Sequence, residues 1–495
     1  MNRQIAQLAV FTLVLLAALI VGTTYWQTWA AAGLADRQDN AIMRVAQFTI
    51  KRGEIKSADG TVLATNVAKR VEGHTLYFRR YPTGALFAHL IGYSTQSRSR
   101  AGLERSENSF LTGADANLTS LYNTTINQLK GVTVKGNDLH LTVRAGAQRL
   151  AMGALAGQCG AAVALDPRTG KVLVMASQPS YDPNLVEGNF NLILRAPRAC
   201  TPGSPLLNRA TDGLFSPGST FKVVTASAAL NTGRYTIDST FKDPGYCIEY
   251  GKQVHNSLDQ NGPEIFGSVN FTQALQHSIN AVFCDIGKAI GAGSILDYSK
   301  RYGFYARPPL ETPSNERAPS GLYDHHKLFF PRHPETAVDP GRLAFGQERM
   351  LATPLQMAMV AGAVANGGRE MRPYAVDHVT DPGGATISTT HPEEIAKPIS
   401  RKTAQDLTSM MEAVVSGGTG TAAQIPGVRV AGKTGTAETG VAHRNTTWFI
   451  AFAPANAPRV AVAVALQNQT GAGGTTAAPI AKAIMEALLA GRSNP

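Results

Sequence analysis

No Asp, Glu, Lys or Arg occurs between Gln4 and Gly33, so the chain opens on a stretch that ordinary soluble domains do not carry. Leu8–Gly22, "LAVFTLVLLAALIVG", is almost purely apolar, and adding Thr23–Trp29 brings it to the ~20 residues a membrane-spanning helix needs. Tyr25, Trp26 and Trp29 are then placed for the outer interface, where amphipathic rings collect. A cleaved signal peptide is the rival reading, because the apolar core is short and "AAAGLA" (Ala30–Ala35) offers small residues for cleavage. The uncleaved anchor is the expectation. Both readings send the remainder across the membrane, and the anchor reading makes the protein a single-pass resident of the cell membrane with its catalytic bulk outside the cytoplasm.

Cysteine is scarce, with four in 495 residues, and Cys159, Cys200, Cys247 and Cys284 are widely spaced. Without a C-x-x-C pair, the usual structural zinc arrangements are excluded. The four thiols allow three complete pairings, so one or two disulfides or simple buried thiols all stay open. Acidic residues are outnumbered 35 to 46 by Lys and Arg, for a net charge of +11. The basic residues come as singles and pairs without aromatic interleaving, which argues against nucleic acid as a partner and for the anionic cell envelope. Repeats and low-complexity tracts are absent. A hydrophobic content of 43% with 16% charged residues describes a globular chain.

At ~150 residues per domain the length suggests about three units. We divide the chain into 1–34, an anchor with its cytoplasmic tip, 35–150, a small non-catalytic domain, and 151–495. The middle segment is irregular, with strand-like pieces "HTLYFRRY" and "DLHLTV". From Gly160, "GAAVALDPRTGKVLVMAS" reads as two strands about a turn at Asp166–Gly170. Helical stretches follow at "FKVVTASAAL", "NAVFCDIGKAIG" and "TPLQMAMVAGAVANGG". Three apolar strands, "GVRVAGKTGTAE", "TTWFIAFAP" and "RVAVAVALQN", precede a closing helix. Strands first, helices between and strands last predict one α+β domain whose sheet joins distant chain ends.

The tetrapeptide "STFK" occurs twice, at Ser219–Lys222 and Ser239–Lys242. In the first copy Ser216 and Pro217 fit the cap and first position of a helix, and the apolar run after Lys222 continues it. Ser219 and Lys222 then share a face, so the amine can take the hydroxyl proton near a positive helix end. The second copy runs into Asp243-Pro244-Gly245, which forbids a continuing helix and predicts an exposed loop. Ser219 is therefore the candidate nucleophile and Lys222 its base.

A lone S-x-x-K is common, and it gains meaning only with S-x-N and K-T-G partners. K-T-G occurs once, as Lys433-Thr434-Gly435, within an apolar strand. Gly435 is expected to let a substrate backbone approach that edge, while Lys433 and Thr436 hold a carboxylate. S-x-N occurs at Ser106, Ser268 and Ser278. Ser106 precedes the catalytic sheet and Ser268 precedes a short helix. Ser278-Ile279-Asn280 leads into the long apolar helix and is preferred.

The order S-x-x-K, S-x-N, K-T-G resembles the penicillin-binding protein and serine β-lactamase superfamily. The chain is most similar to the class B, monofunctional penicillin-binding proteins, with an actinobacterial flavour. "RGEIKSADGTVLATN" (Arg52–Asn66) resembles that class's N-terminal R-G-x-I motif and "GLERSENSFLTG" its G-x-E segment. "AVALDPRTGKVLVMASQPSYDPN" resembles the opening of its transpeptidase domain. The chain departs at Ala58–Gly60, where the family usually has a charged pair before the glycine.

The resemblance implies an antiparallel sheet flanked by helices, on an extended N-terminal domain. It implies a D,D-transpeptidase that cross-links peptidoglycan stem peptides through an acyl-enzyme on Ser219, needs no cofactor or metal, and is inhibited by β-lactams. In that scheme Ser278 relays a proton and Asn280 holds the lysine and the substrate amide. Lys433, Thr434, Gly435 and Thr436 line the substrate carboxylate. A separate membrane glycosyltransferase is the implied partner, since 35–150 is short for a second enzyme. A carboxypeptidase or β-lactamase, or a β-lactam-sensing or inactive scaffold, shares the same motifs.

Two further signals are weaker. "DHHKLFFPRHPE" gathers His325, His326 and His333 beside Asp324, but without i,i+4 spacing it is read as a polar loop and not a metal site. "QNQTGAGGTTAAPIAKAI" mimics a phosphate-binding strand, glycine loop and helix, but lacks the lysine of a P-loop. It is read as a tight turn into the last helix.

Overall fold

The computed structural model describes residues 2–25, 48–71, 74–114, 133–194, 200, 203–259, 262–439, 441 and 444–491. Helix α1 (Asn2–Tyr25) is the expected apolar stretch, with its side chains turned outward and Tyr25 at its end. Its 24 residues reach ~36 Å at 1.5 Å per residue, enough to cross a ~30 Å hydrocarbon core. Trp26, Trp29 and Ala30–Ala35, the other half of the anchor argument, lie outside the described residues.

The N-terminal region folds around a six-stranded sheet. Its order is 386–389, 376–380, 138–141, 55–56, 62–71 and 74–80. The strands expected at "HTLYFRRY" and "DLHLTV" are both present. Two of the six come from far beyond residue 150, and Val376 pairs with Leu141 in antiparallel register. Thr142 Oγ1 adds bonds to the carbonyls of Val172 and Tyr374. Hydrogen bonding is thus continuous across the boundary drawn at residue 150.

The second region begins with β1 (Cys159–Leu165) and β2 (Val172–Gln178), which flank the expected turn. It continues through α2 (Lys222–Asn231), a hairpin of β3 (Tyr246–Glu249) and β4 (Lys252–His255), and α3 (Asn280–Ile290). It closes with β5 (Ala431–Glu438), β6 (Asn445–Ala453), β7 (Val460–Gln469) and α4 (Gly473–Ala490). The five long strands form one antiparallel sheet in the order β5-β6-β7-β1-β2. First and last strands of the domain meet at β1 and β7, as an α+β chain with split strands requires.

Alternation along these strands feeds two cores. Val163, Ile450, Phe452 and Ala463 face the central helices, and Ala162, Phe449, Val462 and Val464 face α4. Both faces are covered, which is why β1 and β7 read as unbroken apolar runs. Cys159 and Cys200 are joined in a disulfide, with Cα atoms 5.4 Å apart. Cys247 and Cys284 are buried free thiols.

Candidate active site

Ser219 sits in a 3-10 turn, Gly218–Phe221, that runs directly into α2 at Lys222. The expected cap geometry differs. Pro217, not Ser216, precedes the turn without a side-chain cap, and Ser216 Oγ instead donates to the Gly346 carbonyl at 3.0 Å. The Ser216 carbonyl accepts the Trp448 indole N–H at 2.8 Å, which ties the turn to β6. Gly218, at φ +50°, needs glycine's freedom. A side chain there would press on Thr436 O and Ala437 of β5 at about 3.1 Å. The turn carrying Ser219 therefore lies flat on the K-T-G strand.

Gly435 has a different role from the one expected. A Cβ on it would come within 2.9 Å of Pro217 O and 3.0 Å of Thr220 Cγ2. Its missing side chain makes room for the serine-bearing turn and not for a substrate. Thr436 is half-buried beside it, with Oγ1 accepting the backbone N–H of Gly473 at 3.2 Å, at the first residue of α4. Gly473 has no room for a Cβ, which would lie 2.4 Å from Gly435 O. The glycine loop before α4 thus serves close packing of helix on strand.

Lys222 is fully buried, yet its amine is well supplied with acceptors. Nζ donates to Ser278 O at 2.6 Å and to Asn280 Oδ1 at 2.8 Å, with Ser278 Oγ at 3.3 Å. Burial first, and then the neighbouring Lys433, hold its pKa well below the usual lysine value. A neutral amine has two N–H groups and one lone pair. The carbonyl and the amide oxygen take both N–H groups, which leaves the lone pair free for a proton. Phe283 adds a ring face 5.1 Å from Nζ.

Ser278 links this amine to the third motif. Its Oγ lies 2.9 Å from Lys433 Nζ, which also donates to Thr434 O at 2.9 Å. Lys433 is fully buried, and desolvation lowers its pKa to about 7. Ser278 adopts φ +58°, a conformation that costs a non-glycine residue on the order of 1–3 kcal/mol. That turn lets both its carbonyl and its hydroxyl reach lysines. Asn280 is anchored from behind, Nδ2 donating to His255 O at 2.9 Å.

The competing copies fall elsewhere. Ser268 is exposed on a two-stranded ribbon, where it pairs in register with Lys242. Thr240–Asp243 form a strand of that ribbon, where a loop was expected, and Ser239 Oγ accepts the Thr236 N–H just before it. Ser106 ends a short helix of the N-terminal region. His325 and His326 occupy the turn of a small hairpin, both at positive φ, and His333 precedes the next helix.

Sequence reasoning missed three supporting residues. Thr419 Oγ1 meets Thr434 Oγ1 at 2.6 Å, and its only local signal is the glycine-rich "SGGTGT" before β5. Asn256 Oδ1 accepts the Ala281 N–H at 3.1 Å, and its Nδ2 donates to Asp243, so it joins α3 to the ribbon. Trp448 is fully buried against the Ser219 turn. A chain scan has no register with which to find these partners.

A family model for the penicillin-binding protein transpeptidase domain matches residues 160–486. The chain belongs to the penicillin-binding protein transpeptidases. A second model, the penicillin-binding protein A dimerisation domain, matches residues 52–139. The chain is 34% identical to the peptidoglycan D,D-transpeptidase PbpA of Mycolicibacterium smegmatis, over 99% of each. It is 33% identical to the PbpA of Mycobacterium tuberculosis, over 99% of this chain and 100% of that one. The solved structure of penicillin-binding protein A from M. tuberculosis, a ceftriaxone acyl-enzyme complex, matches with a TM-score of 0.79 at 32% identity. That match covers 90% of this chain and 100% of the other.

Proposed function

We propose that this chain is a peptidoglycan D,D-transpeptidase that works through an acyl-enzyme on Ser219 and is inhibited by β-lactams. The observation that carries the reading is the convergence on Ser278, whose carbonyl and hydroxyl receive Lys222 and whose hydroxyl also receives Lys433. Ser219 Oγ attacks the carbonyl between the two D-alanines of a stem peptide, and its proton passes to the Lys222 lone pair. The backbone N–H groups of Ser219 and Thr436 stabilise the oxyanion. As the C–N bond breaks, the proton moves by way of Ser278 to the leaving D-alanine amine. An amine from a neighbouring stem attacks the ester, and Ser219 regains its proton. Lys433, Thr434 and Thr436 form the wall that receives the terminal carboxylate, Gly435 seats the Ser219 turn against that wall, and Asn280 fixes Lys222 and the substrate amide.

Helix α1 anchors residues 1–34 in the cell membrane, and residues 35–150 and 151–495 form the N-terminal and transpeptidase domains on its outer side. The small N-terminal domain leaves glycan polymerisation to a membrane glycosyltransferase partner. Fluorescent penicillin labelling of the purified protein, with release of D-alanine from a stem peptide in the presence of an acceptor amine, tests the activity. Failure of Ser219 to take the label, or absence of any cross-linked product, would overturn it.

A further inference from the structure

Cys247 and Cys284 take no part in the chemistry described above, yet they meet at its back. Cys247 lies on β3 and Cys284 on α3, both buried, and with Glu249 their ligating atoms all fall within 4.8 Å of one another. The Cys284 thiol donates to Glu249 Oε1 at 2.5 Å, and Lys288 Nζ pairs with the same oxygen at 2.7 Å. A carboxylate already neutralised by an ammonium is a weak third ligand for a cation. Two adjacent thiols in a chain that already carries Cys159–Cys200 have another outcome open to them.

We propose that Cys247 and Cys284 form a second disulfide, which rivets the β3–β4 hairpin to α3 and so steadies the cradle of Lys222. This rests on the extracytoplasmic placement argued above. Cys284 stands four residues after Asn280, one helical turn away on the same face. Asn280 bonds both Lys222 and His255 O, and His255 pairs with Tyr246, next to Cys247, in the hairpin. A covalent tie at Cys247–Cys284 therefore joins the two elements that between them hold the Asn280 side chain.

The oxidant is an exchangeable disulfide, either of an extracytoplasmic dithiol oxidoreductase or of a small thiol. One cysteine, as thiolate, attacks it and forms a mixed disulfide, releasing one thiol. The second thiolate then displaces the other. Two protons leave the cysteines, and two electrons pass to the oxidant, which departs as two thiols. In the folded state the Cys284 thiol is kept protonated by its hydrogen bond with Cys247 and by burial. The bridge must therefore close while the chain folds, before the hairpin covers α3.

The test uses the full chain taken from its native membrane. Free thiols are blocked with N-ethylmaleimide during denaturation, and non-reduced peptides are analysed by mass spectrometry. We expect one peptide pair linked through Cys247–Cys284 beside the pair linked through Cys159–Cys200. Maleimide on Cys247 and Cys284 with Cys159–Cys200 intact overturns the bridge alone. Maleimide on all four overturns the bridge and the compartment together. Stoichiometric zinc retained by the protein, with Cys247 and Cys284 unlinked, replaces the bridge by a metal site. For the positioning role, the bridged protein should show a limiting acylation rate at least about fivefold above that of a Cys247→Ser/Cys284→Ser variant, with the antibiotic dissociation constant unchanged. Equal limiting rates in both overturn that role.

Discussion

Lys222 and Lys433 face each other across a single hydroxyl, with Ser278 Oγ 3.3 Å from the first Nζ and 2.9 Å from the second. Two buried amines so close cannot both hold a full charge without strong repulsion, so they titrate as a pair. Burial and then Lys433 itself depress Lys222, while burial depresses Lys433. The arrangement favours a neutral base beside a cation that can meet an incoming carboxylate.

Acylation should therefore slow as the pH rises through about 7, where Lys433 loses its proton. The limb belongs to the second-order acylation constant, which reports the free enzyme. A bound carboxylate holds the proton on Lys433, so the limiting acylation rate should show the same limb at higher pH. Stopped-flow acylation by benzylpenicillin from pH 5 to 9 separates the two constants. A flat second-order profile across pH 7 would sink the assignment of Lys433 as the titrating cation.

Replacing the shared hydroxyl gives a sharper test. Ser278→Ala removes the hydroxyl between the lysines and with it the relay proposed for the leaving amine, so acylation should fall by ~10² or more. Ser268→Ala, on its exposed ribbon, should leave the rate unchanged. Peptide mapping of the penicillin adduct by mass spectrometry should place the label on Ser219 and never on Ser239. Equal losses at Ser278 and Ser268, or a label on Ser239, would mean that the motifs have been assigned to the wrong copies.

Much of this was legible in the chain. Three motifs at distances of 56 and 155 residues were assigned from helix continuity and strand character, and the structure brings those copies together. What was not legible depends on pairing between remote segments. The turn at Ser219 is set by contacts with Gly346 and Trp448, so local cap rules at Ser216 and Pro217 mislead there. Thr240–Asp243 is a strand because Gly267–Asn270 lies beside it, and Val376–Thr380 completes a sheet begun more than 200 residues earlier. Gly435 looks like a substrate-facing glycine until Pro217 is seen against it.

That last contact is itself testable. Gly435→Ala puts a methyl 2.9 Å from Pro217 O, and backbone cannot yield as a flexible side chain does. The turn must move off β5, taking Ser219 with it. Acylation should drop at least ~10-fold, since displacement by about 1 Å costs that much or more. Thermal unfolding and acylation measured together distinguish the outcomes. A variant with unaltered acylation would show that Ser219 does not depend on this packing.

Glu370 gives a prediction about stability. Its carboxylate is buried, and among the described residues neither oxygen has a hydrogen-bond partner. Burial alone pushes its pKa from 4.5 up to about 8. The folded protein thus binds a proton that the unfolded chain releases above 4.5. The stabilisation is full below that value and is lost as the pH rises through about 8, on the order of a few kcal/mol. Glu370→Gln stays neutral and should remove this contribution to the pH dependence. Denaturant titrations at pH 5 and pH 8 decide it, and identical pH dependence in both proteins would refute a protonated Glu370.

The fate of the acyl-enzyme separates cross-linking from hydrolysis. A serine β-lactamase needs a second group to activate water against its own ester, commonly a glutamate or a modified lysine. The sequence from Ser278 to Lys433 has no E-x-x-L-N segment to supply that glutamate. The groups bonded to Lys222 and Lys433 are hydroxyls, an amide and backbone carbonyls, with no carboxylate among them in the described residues. By then Lys222 has handed the serine proton on to the leaving amine, and its two N–H groups are taken by Ser278 O and Asn280 Oδ1, so ordering a water against the ester needs a further group. An acceptor amine brings its own nucleophilicity and is positioned by binding, so it gains what water lacks. The penicilloyl-enzyme should therefore persist for many minutes after one addition of penicillin, as read by intact-protein mass spectrometry. Rapid return to the unmodified mass, with hydrolysed penicillin accumulating, would make the protein a β-lactamase.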